Sequence, residues 1–351
     1  MPPCTVFDLH CDTLTAFMDP IRCPDTLNDP ASAFALGRIP PGVRWCQCCA
    51  VFIPDGLTAE EAWGYYRFHR DRFFRQMERL SPCACPCRTA GDVEQAWAAG
   101  KTALILTVEN ASFLGDDLRR AEELRRDGVR IASLTWNGPN ALGSGHETEE
   151  GLSAPGREAV AVLEDCGILL DVSHLNDAGL WDVLDVARRP FLATHSNARA
   201  VCPHRRNLTD EQLRALIVRG CLVGLNYYSP FLRARGEAGF ADLLDHARHI
   251  LELGGTYSLG LGSDFDGAEL PPCLDTCTKV PELGVFLARS LGRETAERIL
   301  WRNALAFFQK NGAPLLRSAP PRAILGQRGD CHAGCAGQAG VSVRLPGGQP
   351  H

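Results

Sequence analysis

Residues that bind metals and transfer protons recur at the ends of apolar segments in this sequence. The first pair, His10 and Asp12, closes an apolar run that begins at Val6. In a β-strand, residues two apart point to the same side, so this imidazole and this carboxylate would project together and could share one metal ion. A hydrogen-bonded pair or a turn at a strand end would use the same residue types.

Four further residues of this kind follow other apolar runs, namely Glu109, His174, His195 and Asp264. Taken singly, each has a structural explanation, such as a hydrogen-bonded core histidine, a helix cap or a turn aspartate. Jointly these explanations fail, because three histidines and three carboxylates at corresponding ends of five apolar runs are a poor accident. His, Asp and Glu are also the ligand set of zinc or a similar divalent ion. The set therefore predicts a metal centre.

The segments that must position these residues alternate between buried strands and amphipathic helices. Eight apolar, β-branched runs are predicted as strands: 6–9, 44–53, 102–108, 129–135, 168–172, 191–194, 221–227 and 257–263. Strands that alternate with helical patterns indicate parallel βα units. Eight such units predict an α/β fold of the TIM type, a closed (β/α)8 barrel. The carboxyl ends of its strands share one face, so all six candidate residues would meet in one mouth.

The barrel is predicted to form one domain over residues 1–311. Residues 312–351 are rich in Gly and Pro and lack apolar periodicity, which indicates a disordered tail. The 16 Cys are expected to be reduced thiols. Cys83, Cys85 and Cys87 fall in a predicted loop, where a structural zinc would still lack a fourth ligand.

Composition and charge exclude several classes of partner. The 351 residues carry a net charge of -6, with 45% hydrophobic and 22% charged residues, as is ordinary for an enzyme with a substantial core. This balance gives no electrostatic reason to expect nucleic acid or an anionic membrane as a partner. No apolar run reaches the ~20 residues of a membrane helix, and the N-terminus does not resemble a signal peptide. We therefore expect a cytoplasmic protein.

The number of ligands indicates two metal ions rather than one. A catalytic zinc keeps one coordination position open for water, so one ion usually takes fewer than five protein ligands. The six candidates include five such ligands besides Asp264: His10, Asp12, Glu109, His174 and His195. Two ions ~3.5–4 Å apart, joined by Glu109 and a hydroxide, would use all five and leave room for a substrate. This predicts metal-assisted hydrolysis, with Asp264 free to move protons.

Several separated motifs lie between residues 8 and 267: Asp8-Leu-His-Cys-Asp12, Val108-Glu-Asn110, Asp171-Val-Ser-His174, Thr194-His-Ser-Asn-Ala-Arg-Ala-Val-Cys202, Arg205-Arg-Asn207 and Gly262-Ser-Asp-Phe-Asp-Gly267. In combination they resemble the membrane (renal) dipeptidase family, zinc peptidases of the amidohydrolase-like barrel group, and the resemblance runs from about residue 5 to residue 310. The resemblance implies that His10 and Asp12 hold one zinc, that His174 and His195 hold the other, and that Glu109 bridges the two.

The resemblance also implies the substrate and a residue that binds it. The family uses an arginine that corresponds to Arg206 to bind the substrate carboxylate, and a bidentate guanidinium pair would favour substrates with a free C-terminus. Arg205 is the alternative if the register slips. The implied function is hydrolysis of a dipeptide by a metal-bridging hydroxide at two zinc ions per chain. Members of the family often form homodimers.

One position departs from the family pattern. Renal-type members place a substrate-contacting histidine where this chain has Trp136. The tryptophan removes a donor and narrows the pocket, and Asn137, Asn140 or His146 could supply the donor instead. Trp136 and Asn137 are the predicted substrate contacts beside Arg206.

Two other functions remain open at this point. The chain could hydrolyse another amide, such as an acylated amino acid or a cyclic amide, and a substrate panel would separate this activity from that of a dipeptidase. Alternatively, it could be a catalytically silent metal-binding barrel, which Trp136 alone favours.

Overall fold

The structure is a computed structural model that describes residues 4–16 and 26–312. Within these residues, nine strands form one parallel sheet: β1 Thr5–Asp8, β2 Arg44–Phe52, β3 Ala84–Pro86, β4 Thr102–Glu109, β5 Ile131–Ser133, β6 Leu169–Asp171, β7 Leu192–Ala193, β8 Leu222–Leu225 and β9 Leu259–Leu261. The α-helices of the same residues are as follows: α1 Ala59–Arg79, α2 Ala90–Ala98, α3 Arg120–Asp127, α4 Ala154–Asp165, α5 Asp177–Val186, α6 Asp210–Arg219, α7 Ser229–Leu232, α8 Phe240–Glu252, α9 Val280–Leu291, α10 Arg293–Glu297 and α11 Asn303–Asn311. A π-helical turn, Arg298–Arg302, joins the last two.

The sheet closes into a barrel through the pairing of β2 with β4. These strands run in parallel register from the pair Cys46 and Ala103 to the pair Phe52 and Glu109. The remaining neighbours follow in the order β2, β1, β9, β8, β7, β6, β5, β4. Eight strands therefore form the closed (β/α)8 barrel, as predicted.

The ninth strand, β3, corrects the sequence prediction. The segment with Cys83, Cys85 and Cys87 was predicted to be a loop, but Ala84–Pro86 pairs with the start of β4. That edge of β4 is open there because β5 pairs only with its later residues, from Thr107 onward. Helix α2 follows this strand, so the segment between β2 and β4 contains a strand and a second helix in addition to α1.

Several strands are shorter than their apolar runs. The run 221–227, for example, contains only Leu222–Leu225 as strand. The apolar run extends beyond the strand because Tyr227 is buried, although it follows the last strand residue. An apolar pattern reports burial, whereas a strand also needs a hydrogen-bonded neighbour, so the pattern overestimated the strand length.

Successive side chains along each strand point to opposite faces of the sheet and contribute to two separate apolar clusters. One cluster joins residues from seven strands, among them Phe7, Cys46 and Ile105, which is the interior of the barrel. Helix α11 belongs to the same cluster, and the ring of its Phe308 lies 5.1 Å from that of Phe7. The residues of opposite parity, such as Leu104, pack in the second cluster with the surrounding helices.

Two further sequence predictions concern the state of the cysteines and the C-terminal boundary of the barrel domain. Within the described part of the chain, every cysteine is free, and the reduced state of the thiols stays a prediction. Apart from Gly312, the predicted tail 312–351 lies outside the described residues. The domain boundary after residue 311 stays a prediction.

Helix α1 contains a buried histidine, His69, which contacts the main chain of the segment after β1. His69 is 4% exposed, and its Nδ1 lies 3.2 Å from the carbonyl oxygen of Leu14. Burial lowers the pKa of His69 to about 4, and the positive charge of Arg72 acts in the same direction. The ring is therefore neutral at physiological pH.

We expect His69→Gln to remove part of the pH dependence of stability. Because the folded pKa lies below the ordinary 6.5, the stability that neutral His69 contributes is complete above pH 6.5 and is lost as the pH falls toward 4. Between pH 7 and pH 5, the free energy of unfolding of the wild type should fall by about 2 kcal/mol more than that of the variant. Urea denaturation at both pH values measures this difference, and equal pH slopes would contradict it.

Candidate metal centre and active site

The six candidate residues lie at or just beyond the carboxyl ends of five strands. Glu109 is the last residue of β4, and the others occupy the loops that follow β1, β6, β7 and β9. All six are buried, with 9% or less of their surface exposed. The β4 register explains the direction of Glu109, because Ile105 faces the barrel interior and residues an even number apart share a side.

His10 lies among three carboxylates. Its Nε2 is 3.2 Å from Asp12 Oδ2, 3.3 Å from Glu109 Oε2 and 3.9 Å from Asp264 Oδ1. The ligand atoms of His10, Asp12 and Asp264 lie close enough together to hold one ion. Asp264 therefore lies on the side of the site predicted for the first metal, within ligand reach.

The second pair of histidines faces the other oxygen of Glu109. His174 Nε2 is 2.6 Å from Glu109 Oε1 and 2.9 Å from His195 Nε2. Each Glu109 oxygen thus faces a histidine from a different predicted pair. A carboxylate that bridges two ions would need this geometry, and the bridging role of Glu109 stays a prediction.

Burial and charge set the protonation of the centre. Burial opposes a charge on His10, but Asp12 and Glu109 outweigh it and raise the pKa of His10 well above its ordinary value. Burial also raises the pKa of Asp12 to about 8, with the Glu109 charge acting in the same direction. For His195, burial and then the neighbouring His10 and His174 hold the pKa well below its ordinary value, so the ring is neutral.

These observations fit divalent metal ions. Asp12 Oδ1 is buried and has no hydrogen-bond partner among the described residues. Three carboxylates crowd into one buried space, where a divalent cation would offset their repulsion. Imidazole nitrogens and carboxylate oxygens are also the donors that zinc prefers.

Backbone strain accompanies two positions of the site. Asn110, directly after Glu109, and Asp264 itself have φ angles of 66° and 65°, in the left-handed region that non-glycine residues seldom occupy. The Asn110 amide donates to Ile53 O at 2.8 Å and accepts from Asn140 at 3.0 Å, which holds this turn in place. Strain of this kind is retained where the surrounding structure fixes it, which is typical of functional sites.

Asp264 is oriented by a residue that the sequence analysis missed. Asn226 Nδ2 donates to Asp264 Oδ2 at 3.0 Å, which leaves Oδ1 toward His10. Asn226 directly follows β8, so the same positional argument would have identified it. Gly267 is required nearby, because a Cβ there would lie 2.1 Å from Asp12 Oδ2.

Of the two adjacent arginines, Arg206 is the one that lies inside. It is 3% exposed, and burial lowers its pKa to about 10, while Asp264 and Glu109 oppose this effect. Its guanidinium lies 5.4 Å from the Phe231 ring centre, and its Nε and Nη1 have no partner among the described residues. Arg205 instead points outward and donates to His146 O at 3.0 Å. Burial therefore favours Arg206 over Arg205 as the residue that faces the site, and its contact with substrate stays a prediction.

Trp136 and Asn137 lie beside His174 but differ in their contacts. The Trp136 ring is 6.5 Å from the His174 ring and 4.9 Å from that of Phe52, with which it forms a partly exposed aromatic wall. Asn137 Oδ1 lies 3.0 Å from His174 Nδ1 and accepts a hydrogen bond from its N–H group. The oxygen of Asn137 thus orients a predicted ligand, and a substrate contact of its amide nitrogen stays a prediction.

The two other candidates for the missing donor also differ. The Asn140 side chain is fully engaged, since it donates to Asn110 and Leu134 O and accepts from the loop amides of Leu142 and Gly143. His146 is half-buried, and burial, assisted by the Arg206 charge, lowers its pKa to about 3. Its neutral ring keeps a free Nδ1 among the described residues.

The model of the family described as membrane dipeptidase (peptidase family M19) matches residues 1–313. The chain belongs to this family. It is 32% identical over 222 residues to an uncharacterized dipeptidase of Schizosaccharomyces pombe. The aligned region covers 60% of this chain and 53% of that protein.

Two solved structures are similar to this member of the membrane dipeptidase family. The first, a metallopeptidase described as dipeptidase AC, is 29% identical, with a TM-score of 0.82 and coverage of 89% of this chain and 100% of the other. The second is a metallopeptidase from Rhodobacter sphaeroides bound to a phosphinate mimic of the dipeptide L-Ala-D-Ala. It is 28% identical, with a TM-score of 0.81 and coverage of 88% and 99%.

Family membership confirms several predictions. The protein is a metallo-dipeptidase of the hydrolase class, and its fold is the barrel of that family. A metallopeptidase requires a metal cofactor, and the structure brings together two groups of ligand atoms that could hold an ion: His10, Glu109 and His195, and His10, Asp12 and Asp264. Among the described helices, none is long and apolar enough to cross a membrane.

Proposed function

We propose that this membrane dipeptidase family member hydrolyses dipeptides at a centre of two zinc ions. His10 and Asp12 would hold one ion, His174 and His195 the other, and Glu109 would bridge them. The observation that carries the proposal is that the two Glu109 oxygens face His10 and His174 separately. Bound ions would supply the activated water and the polarisation of the scissile carbonyl that hydrolysis needs.

The remaining residues would position the substrate and move protons. Asp264 presents Oδ1 to the centre while Asn226 holds its other oxygen, which suits a group that accepts a proton from the nucleophile and passes it to the departing amine. Arg206 is buried, and two of its nitrogens have no partner among the residues that the structure describes, so it would bind the C-terminal carboxylate of the substrate. The wall of Phe52 and Trp136 would contact a substrate side chain.

The R. sphaeroides relative was solved with a mimic of L-Ala-D-Ala, which supports a small dipeptide as the substrate class here. Hydrolysis of another amide, such as an acylated amino acid or a cyclic amide, is the second candidate. It rests on Trp136, which replaces the expected histidine and changes the donors around the substrate. The homodimer and the cytoplasmic location stay predictions.

Metal removal tests the proposed centre. We expect a chelator to abolish cleavage of L-L and L-D dipeptides, and added Zn²⁺ to restore it with about two zinc ions per chain, because five ligands exceed what one ion takes. Hydrolysis rates and elemental analysis on the same samples measure both quantities. Two bound ions without cleavage of any dipeptide would overturn the substrate and retain the centre, and an acylated amino acid in the same panel would then test the second candidate.

Asp264→Asn tests the proton-transfer role. We expect kcat to fall by a factor of 10² to 10⁴, the usual contribution of general acid–base catalysis, with zinc retained. Elemental analysis and kcat should be compared with those of Asp275→Asn, an exposed aspartate in the loop beyond the same strand. A rate near that of the wild type with zinc bound would show that Asp264 does not carry the proton.

Arg206→Lys tests carboxylate recognition. We expect KM for dipeptides to rise about 10- to 100-fold, since lysine cannot form the bidentate pair. A dipeptide with an amidated C-terminus should already bind the wild type poorly and lose little more in the variant. Arg205→Lys is the matched control, because its neighbouring guanidinium points outward to His146 O and Glu149. Equal KM effects of the two variants would contradict the assignment.

A further inference from the structure

A hydrogen-bond network lies behind His195, on the side away from the metal centre. Thr194 Oγ1 is 2.6 Å from Asp171 Oδ2 and 2.8 Å from His195 Nδ1. Asp171 is 3% exposed, and Thr194 is fully buried. A buried carboxylate is thus connected to an imidazole through one hydroxyl group.

The number of hydrogens fixes the direction of each bond. Asp171 Oδ1 accepts from Ser173 N at 3.1 Å, Ser173 Oγ at 2.7 Å and Thr194 N at 2.9 Å. The Oδ2 atom of the carboxylate accepts from the Thr194 hydroxyl at 2.6 Å, and this hydroxyl has only one hydrogen to give. The Ser173 hydroxyl also lies 3.1 Å from Thr194 Oγ1, but its own hydrogen is given to Asp171 Oδ1 at the shorter distance of 2.7 Å. Thr194 Oγ1 must then accept from His195 Nδ1–H. The His195 proton is therefore on Nδ1, and the Nε2 lone pair is directed at the centre.

The same carboxylate also restrains the backbone of His195. Ser173 Oγ donates to Asp171 and accepts from His195 N at 3.1 Å. Two hydroxyl groups, one for the ring and one for the main chain, thus transmit the position of Asp171 to His195. His174 is held differently, by the neutral amide oxygen of Asn137.

We propose that Asp171 is a positioning residue which, through the Thr194 hydroxyl, keeps His195 in the tautomer and orientation that bind metal. The inference rests on the proposed metal centre. Partners of this kind around metal ligands typically change metal affinity 10- to 100-fold when they are removed.

Asp171→Asn makes the tautomer measurable. Because three donors face Oδ1, the amide oxygen of the asparagine takes that place, and its NH₂ group faces Thr194 and donates to it. The Thr194 hydrogen then turns to His195 Nδ1, and the His195 proton moves to Nε2. We expect ¹⁵N NMR of the metal-free protein to place the His195 proton on Nδ1 in the wild type and on Nε2 in the variant. A wild-type proton on Nε2 would overturn the proposal.

Metal affinity gives the second test. We expect Thr194→Val to weaken binding of one of two Co²⁺ ions 10- to 100-fold, and Thr194→Ser, which restores the hydroxyl, to bind nearly as the wild type does. Thr135→Val is the matched control, because this buried threonine near the site has a hydroxyl without a partner among the described residues. Spectroscopic titration of the metal-free protein with Co²⁺ measures all four proteins.

The outcomes separate this inference from the proposed function. Equal affinities of Thr194→Val and Thr135→Val, beside a wild type that binds two ions, would overturn the positioning role alone. A loss in Thr194→Ser as large as that in Thr194→Val would also overturn it, because packing rather than the hydroxyl would then be responsible. A wild type that binds no Co²⁺ would reject the metal centre and this proposal together.

Discussion

Buried negative charge at the mouth of the barrel is the constraint on which the rest of the site depends. Asp12, Glu109 and Asp264 each approach the same imidazole nitrogen of His10 within 3.2–3.9 Å. One imidazolium cannot balance three buried carboxylates, and burial together with the Glu109 charge raises the pKa of Asp12 to about 8. A divalent cation would balance this charge, so the arrangement of these side chains is consistent with membership of a metallopeptidase family.

The barrel fold can accommodate this concentration of charge because other parts of the structure stabilise it. Parallel strands bring residues distant in sequence to one end, and helix α11 joins the interior core through Phe308, far along the chain from Phe7. The energy of folding comes from this apolar interior and from the outer layer of helices, so the carboxyl ends of the strands are free to carry polar groups. Asn110 and Asp264 retain left-handed backbone there because side-chain hydrogen bonds from Asn140 and Asn226 hold the adjacent turns.

The centre is supported asymmetrically. Asn137 presents a neutral amide to His174, whereas a buried carboxylate reaches His195 through the Thr194 hydroxyl. A ligand tied to a carboxylate is a stronger electron donor than one tied to an amide, so the two histidines of one predicted ion differ in basicity. The aromatic wall of Trp136 and Phe52 lies beside the more weakly supported ring of His174.

The sequence by itself determined the barrel and the six candidate residues, because strand periodicity and the position of polar residues after each run are local properties. It did not reveal the strand Ala84–Pro86, since that segment is a strand only because β4 offers it a free edge. The roles of Asn226, Asp171 and Thr194 were also decided by tertiary structure, because a hydrogen bond depends on which strands are neighbours. Arg206 and Arg205 have the same side chain at adjacent positions, and only the packing against Phe231 shows which of them faces the site.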